Sequence, residues 1–201
     1  MADIVIQLLP HVLAALIYGA LGFHFWNTRW RENENQCIAC PMQTWERGAI
    51  AAALSIHAWG LHDALFAEAG MRFSFSFALS LMMWLAMLFY WIESLYARLE
   101  GLQTLAMPFA ALCSLLPAFF PDPHLLANAG SALFRAHFVV AMLAYSLFTL
   151  AALHAVLMAV AEKRLHGARL SRAFAALPPL LTMETLLFRL IGIAFVLLTL
   201  T

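Results

Sequence analysis

Six stretches of this sequence run for about 20 residues or more and are almost wholly apolar, which leaves few folds open. They are residues 4–26, 48–67, 75–96, 102–120, 133–161 and 184–201. As a helix, a run of about 23 residues covers roughly 35 Å, enough to cross a hydrocarbon core of about 30 Å. Inside a bilayer no water satisfies backbone N–H and C=O groups, so a spanning segment must close its hydrogen bonds internally. The expected fold is therefore all-α, a polytopic transmembrane bundle of about six helices. Composition agrees: 64% of the 201 residues are hydrophobic and 11% are charged, a balance outside the range of soluble domains.

The first run follows Asp3 rather than a basic segment and leads into no clean small-residue cleavage site, so it reads as a retained helix and not a signal peptide. Pro121 and Pro123 end the fourth run, because proline cannot continue a helix. No internal repeat or low-complexity tract divides the chain, and residues 1–201 read as a single domain. Lys+Arg and Asp+Glu both number 11, a balance that points away from a nucleic-acid partner and leaves the distribution of basic residues as the informative quantity. With the N-terminus outside, Arg29, Arg31, Arg47, Arg98, Lys163, Arg164, Arg169 and Arg172 fall in inner loops, against Arg72 and Arg135 on the outer side. That asymmetry obeys the positive-inside rule and sets an N-out orientation. Arg189 lies within the sixth run about one turn from Glu184, and an ion pair between them is expected.

Histidine is the residue whose chemistry is most out of place here, and depth separates the eight of them. His137 opens the fifth run, at the outer interface if Lys163 marks the inner boundary. At 100° per residue, Ala141, Ala144, Phe148, Ala151 and Ala155 fall within about 40° of its face. A small-residue seam lets another helix, or a flat ligand such as a porphyrin, come close, and a neutral imidazole is an axial ligand for haem iron. A plain packing seam is the competing reading. His57 lies near the midplane, where a polar side chain is costly without a partner or a role. It is the second candidate ligand. His154 is also near the midplane and could face His57 across two helices in a b-type electron-transfer site. His62, about 140° round from His57 and next to Asp63, reads as an interfacial polar contact. His11, His24, His124 and His166 sit near ends or in loops and read as structural.

Cys37 and Cys40 form a CIAC motif with the spacing of a redox dithiol or half a zinc site. No second pair completes a zinc site, and Pro41 stands where a haem-attachment motif needs histidine. The orientation puts this loop in the cytoplasm, where thiols stay reduced. Cys113 reads as a small buried apolar residue. The sequence contains no Gly-rich phosphate loop, paired carboxylates on one helix face or nucleophile elbow, so no catalytic residues are assigned.

The segments AHFVVAMLAYSLF and LPPLLTMETLLFRLIGIAFVLLTLT resemble the integral-membrane cytochrome c assembly family (CcsA-like, most closely its YpjD branch) over roughly residues 131–201. The resemblance implies a bacterial inner-membrane factor that handles haem at the periplasmic face, with His137, followed by Tyr145, as an external ligand. It also implies other cytochrome c assembly proteins as partners, and an assembly factor rather than an enzyme with its own turnover. Synthetase members carry a WGxxWxWD segment and a second external histidine beyond it, neither of which this sequence contains, so the expectation is a C-terminally short member or one whose remaining part is supplied elsewhere. Taken together, the site expected from sequence is non-covalent haem held by His137 and His57 with Tyr145 nearby. A membrane scaffold that keeps the fold without haem is the alternative from another class.

Overall fold

The computed structural model describes residues 2–30, 42–66, 72–96, 101–120, 124–125, 131–166 and 180–201. Among these, the helices are α1 Ala2–Phe25, prolonged by a π-helical turn Trp26–Trp30, α2 Thr44–Phe66, α3 Phe75–Tyr96, α4 Leu102–Phe119, α5 Ala132–His166 and α6 Leu180–Thr199. Two-residue strands, β1 Arg72–Phe73 and β2 His124–Leu125, pair antiparallel ahead of α3 and after α4. The all-α polytopic bundle expected from the apolar runs is what forms.

The local reasons for the helix boundaries are visible. At the start of α2 the Glu46 carboxylate accepts a hydrogen bond from the backbone N–H of Gln43 at 2.8 Å, the return half of a capping box, and the helix begins four residues ahead of its apolar run. Gly101, at φ 95°, takes the left-handed conformation needed to turn the chain into α4. Pro108 and Pro117 lie inside α4, where the surrounding helices keep the interrupted turns in place. Close approach is built in at Gly22, where a Cβ would stand 3.3 Å from the Pro108 ring.

α1 packs on α2 and α4, α3 on α4, α5 and α2, and α6 chiefly on α5. Hydrogen bonds tie the two ends of the bundle. At one end Arg47 donates to the Ser94 carbonyl at 3.2 Å and Trp91 to the Arg47 carbonyl at 3.1 Å. At the other, Ser76 donates to the Phe120 carbonyl at 3.0 Å. The first end holds Arg29, Arg47 and Lys163 and is the inner one on the charge reading.

Among the described residues, five helices are long and apolar enough to cross a membrane: Leu8–Arg29, Phe75–Tyr96, Leu102–Phe119, Ala132–Lys163 and Leu181–Thr199. The chain is a multi-pass membrane protein. α2 falls short of that hydropathy because it carries Glu46, Arg47, His57, His62 and Asp63, yet it lies between α1 and α3 along their length. Neighbouring helices supply partners for Glu46, Arg47 and His57 Nε2, which helps to accommodate such a helix at membrane depth. Arg189 departs from expectation. Its guanidinium comes within 3.9 Å of Glu93 on α3 and not of Glu184, because α6 turns the Arg189 side of its surface toward the end of α3.

Candidate functional site

The polar residues buried in the outer half of the bundle form a cluster that begins on α1. His11 and Tyr18 are seven residues apart, so they share a helix face about two turns apart, and that face is turned toward α2. His57 of α2 inserts between them: its ring centroid is 6.3 Å from that of His11, with the planes at 79°, and 5.9 Å from that of Tyr18. Gly60, one turn further along α2, makes the fit possible. A Cβ there would stand 3.1 Å from Pro10 and 3.3 Å from the His11 ring.

α3 closes the cluster with Ser80, whose hydroxyl lies 2.9 Å from His57 Nε2, and with Phe77, edge-on to His11 at 6.4 Å. Exposure is 2% for His11 and 0% for Tyr18, His57 and Ser80. Four atoms in this sealed space lack a hydrogen-bond partner among the described residues: both ring nitrogens of His11, His57 Nδ1 and the Tyr18 hydroxyl. The Ser114 backbone lies near His11 but outside normal hydrogen-bond geometry. Each buried polar group left unpaired costs about 1–3 kcal/mol, so such a concentration needs a reason.

His137 occupies a different setting. It is exposed near the outer end of α5, and its Nδ1 lies 3.0 Å from the backbone oxygen of Thr201. An oxygen can only accept, so Nδ1 carries the proton and the Nε2 lone pair is left open to the outside. Tyr145, two turns deeper on α5, is 47% exposed and therefore faces outward from the bundle. The small-residue seam below His137 does not: Ala144 and Ala151 are 0% and 3% exposed, buried against neighbouring helices.

His154 does not meet His57. Its Nε2 lies 3.0 Å from the Met183 carbonyl, so it ties α5 to α6, on the far side of α3 from the α1–α2 cluster. The electron-transfer pair of His57 and His154 is thus not assembled. His11 stands beside His57 instead.

At the inner end a second polar knot has a structural character. The Glu46 carboxylate, 3% exposed, accepts from Arg29 at 2.7 Å and faces His24 Nε2 at 3.0 Å, while the Arg29 guanidinium lies 4.7 Å from the Phe25 ring centre. His24 was expected to be structural and serves here as a tie between α1 and α2. Cys37, Cys40 and the CIAC motif lie outside the described residues.

His11 and Tyr18 are the residues that reading the sequence passed over, because His11 sits near a helix end. Their signal was the seven-residue His–Tyr spacing on one helix face, similar to that of His137 and Tyr145 eight residues apart.

Comparison with known proteins matches the family described as Cytochrome C assembly protein to residues 48–201, from the first turns of α2 to the end of α6. α1, with His11 and Tyr18, precedes the matched residues. Neither the curated proteins nor the solved structures contain a match.

Proposed function

The chain belongs to the cytochrome c assembly protein family, with a role in cytochrome c maturation, and from that premise we propose that it holds haem at the outer face of a bacterial inner membrane through His137. One observation carries this reading: His137 is exposed near one end of α5, with Nδ1 3.0 Å from the Thr201 backbone oxygen, so its imidazole is accessible from outside the bundle. A hydrogen bond on one imidazole nitrogen that selects the other for ligation is the common arrangement around metal centres.

The residues present fit haem there as one axial ligand. Bound haem would supply the iron centre and the group delivered to a cytochrome, and the protein's part is to position it. α5 holds the imidazole, Tyr145 flanks the apolar side two turns below it, and exposed Leu133, one turn before His137 on the same side of the helix, gives the ring an apolar surface that excludes water. His57 is proposed as a metal ligand of another kind. The rings of His11 and Tyr18 pack beside it, with centroids 6.3 and 5.9 Å from its own. The protein acts as an assembly factor, working with other maturation proteins that receive or deliver haem.

The visible spectrum of the full chain purified in mild detergent, with and without dithionite, tests the reading. Haem absorbance should be present, fall sharply in His137→Ala and recover in part when imidazole is added to fill the vacated coordination position. His124→Ala, on the outer side but outside the helices, should retain its absorbance. A wild-type protein that carries no haem after expression with ample haem would sink this reading in favour of a scaffold that keeps the fold.

A further inference from the structure

We propose that His11 and His57 form a buried site for one soft monovalent metal ion, Cu(I), with Ser80 setting the ligating nitrogen of His57. The residues differ from those of the haem proposal, and His11 and Tyr18 lie ahead of the family-matched segment.

The hydrogen-bond pattern selects the donors. His57 Nε2 lies 2.9 Å from the Ser80 hydroxyl; when it donates there, Nδ1 carries the lone pair, and Nδ1 has no partner among the described residues. Both His11 nitrogens are likewise unpartnered, so whichever is unprotonated is available. An ion held at about 2 Å by one nitrogen of each ring, with the rings opposed across it, separates the ring centres by about 6 Å. The observed separation is 6.3 Å, with the ring planes at 79°.

Charge and ligand number select the ion. No group of three or more His, Cys, Asp or Glu side chains able to hold a metal occurs among the described residues, so the four donors that zinc takes are not assembled. Two neutral imidazoles in a sealed, largely apolar space suit a cation of low charge, because desolvation rises steeply with charge. Copper binds imidazole well, and its monovalent form accepts two ligands. Tyr18 and Phe77 wall the site and Gly60 lets His11 approach α2, so the rings are set by packing before any ion arrives.

The test uses the full chain carrying Cys37→Ser, Cys40→Ser and Cys113→Ser, which removes competing soft thiolates, loaded anaerobically with Cu(I) in detergent and desalted against a Cu(I) chelator. About one copper per chain should remain, X-ray absorption should report two nitrogen neighbours and no sulfur, and Cu(I) should raise the unfolding temperature. Folded His11→Ala and His57→Ala proteins should lose the copper, and Ser80→Ala should bind roughly 10-fold or more weakly, as loss of an outer-shell partner does. His137→Ala should keep its copper while losing haem, so the two proposals fail separately.

The site is overturned if folded wild-type protein retains no copper and its unfolding temperature ignores Cu(I), as when a water molecule satisfies the two rings. Sulfur in the first shell, or copper retained in the folded histidine variants, overturns it equally. So does a haem band lost in His11→Ala, which would assign the pair to a macrocycle. Where the histidine variants do not fold, absorption and unfolding of the wild-type background decide alone.

Discussion

Replacing Glu46 by alanine should damage this protein more than most single changes on its surface or in its core. The carboxylate accepts from Arg29 at 2.7 Å and from the Gln43 backbone at 2.8 Å, and it faces His24 at 3.0 Å. The side chains of Arg29 and Glu46 are 7% and 4% exposed, so the alanine variant leaves a guanidinium sealed in the bundle with no counter-charge. Breaking one side of a buried ion pair costs about 3–5 kcal/mol, and losing the cap on α2 adds about 1 kcal/mol. Removing both charges is a different perturbation. Arg29→Met with Glu46→Leu takes away the desolvation cost together with the attraction, and should be destabilised less than Glu46→Ala alone. Reversible unfolding in mixed micelles, followed by Trp fluorescence, measures wild type, Glu46→Ala, Arg29→Met, Glu46→Leu and the double variant, and the cycle of wild type, the last two singles and the double yields the coupling energy. A Glu46→Ala cost under about 1 kcal/mol would refute the reasoning, since it would mean that the knot is solvated and behaves as a surface pair. Strict additivity of the two single changes would refute it as well.

Three further outcomes follow from the packing. Ala144→Phe forces a ring into a position that is 0% exposed and should cost about 1–3 kcal/mol by overpacking; an unchanged melting curve in detergent would mean that this face of α5 meets lipid. Gly22→Leu should separate α1 from α4, because even a Cβ would stand 3.3 Å from the Pro108 ring, and a drop in unfolding temperature checks it. A membrane-impermeant thiol reagent applied to intact cells should leave Cys37 and Cys40 unlabelled; labelling would invert the N-out orientation and put the CIAC pair in an oxidising compartment.

How much of this was legible in the residues follows from which interactions are local. Helix existence was, since a run such as 75–96 has only one way to satisfy its backbone in lipid, and α3 spans the same residues. The end of the fourth run was legible to within a residue, α4 closing at Phe119, but proline alone does not set it, since Pro108 and Pro117 lie inside the same helix. The family was legible from the α5 and α6 segments. Partner choice was not. Arg189 pairs with Glu93 on α3 and not with Glu184 on its own helix, and His24, Arg29 and Glu46 converge from α1, its π-helical turn and α2. Those contacts depend on helix rotation and on which helices become neighbours, and the long-range packing of the whole bundle sets both. The same holds for His57. Its depth could be counted along α2, and His154 was the neighbour the sequence offered, but packing put α1 against α2, with His11 beside His57, and placed α5 beyond α3. Periodicity along one helix specifies a face, and only the assembled bundle decides what that face touches.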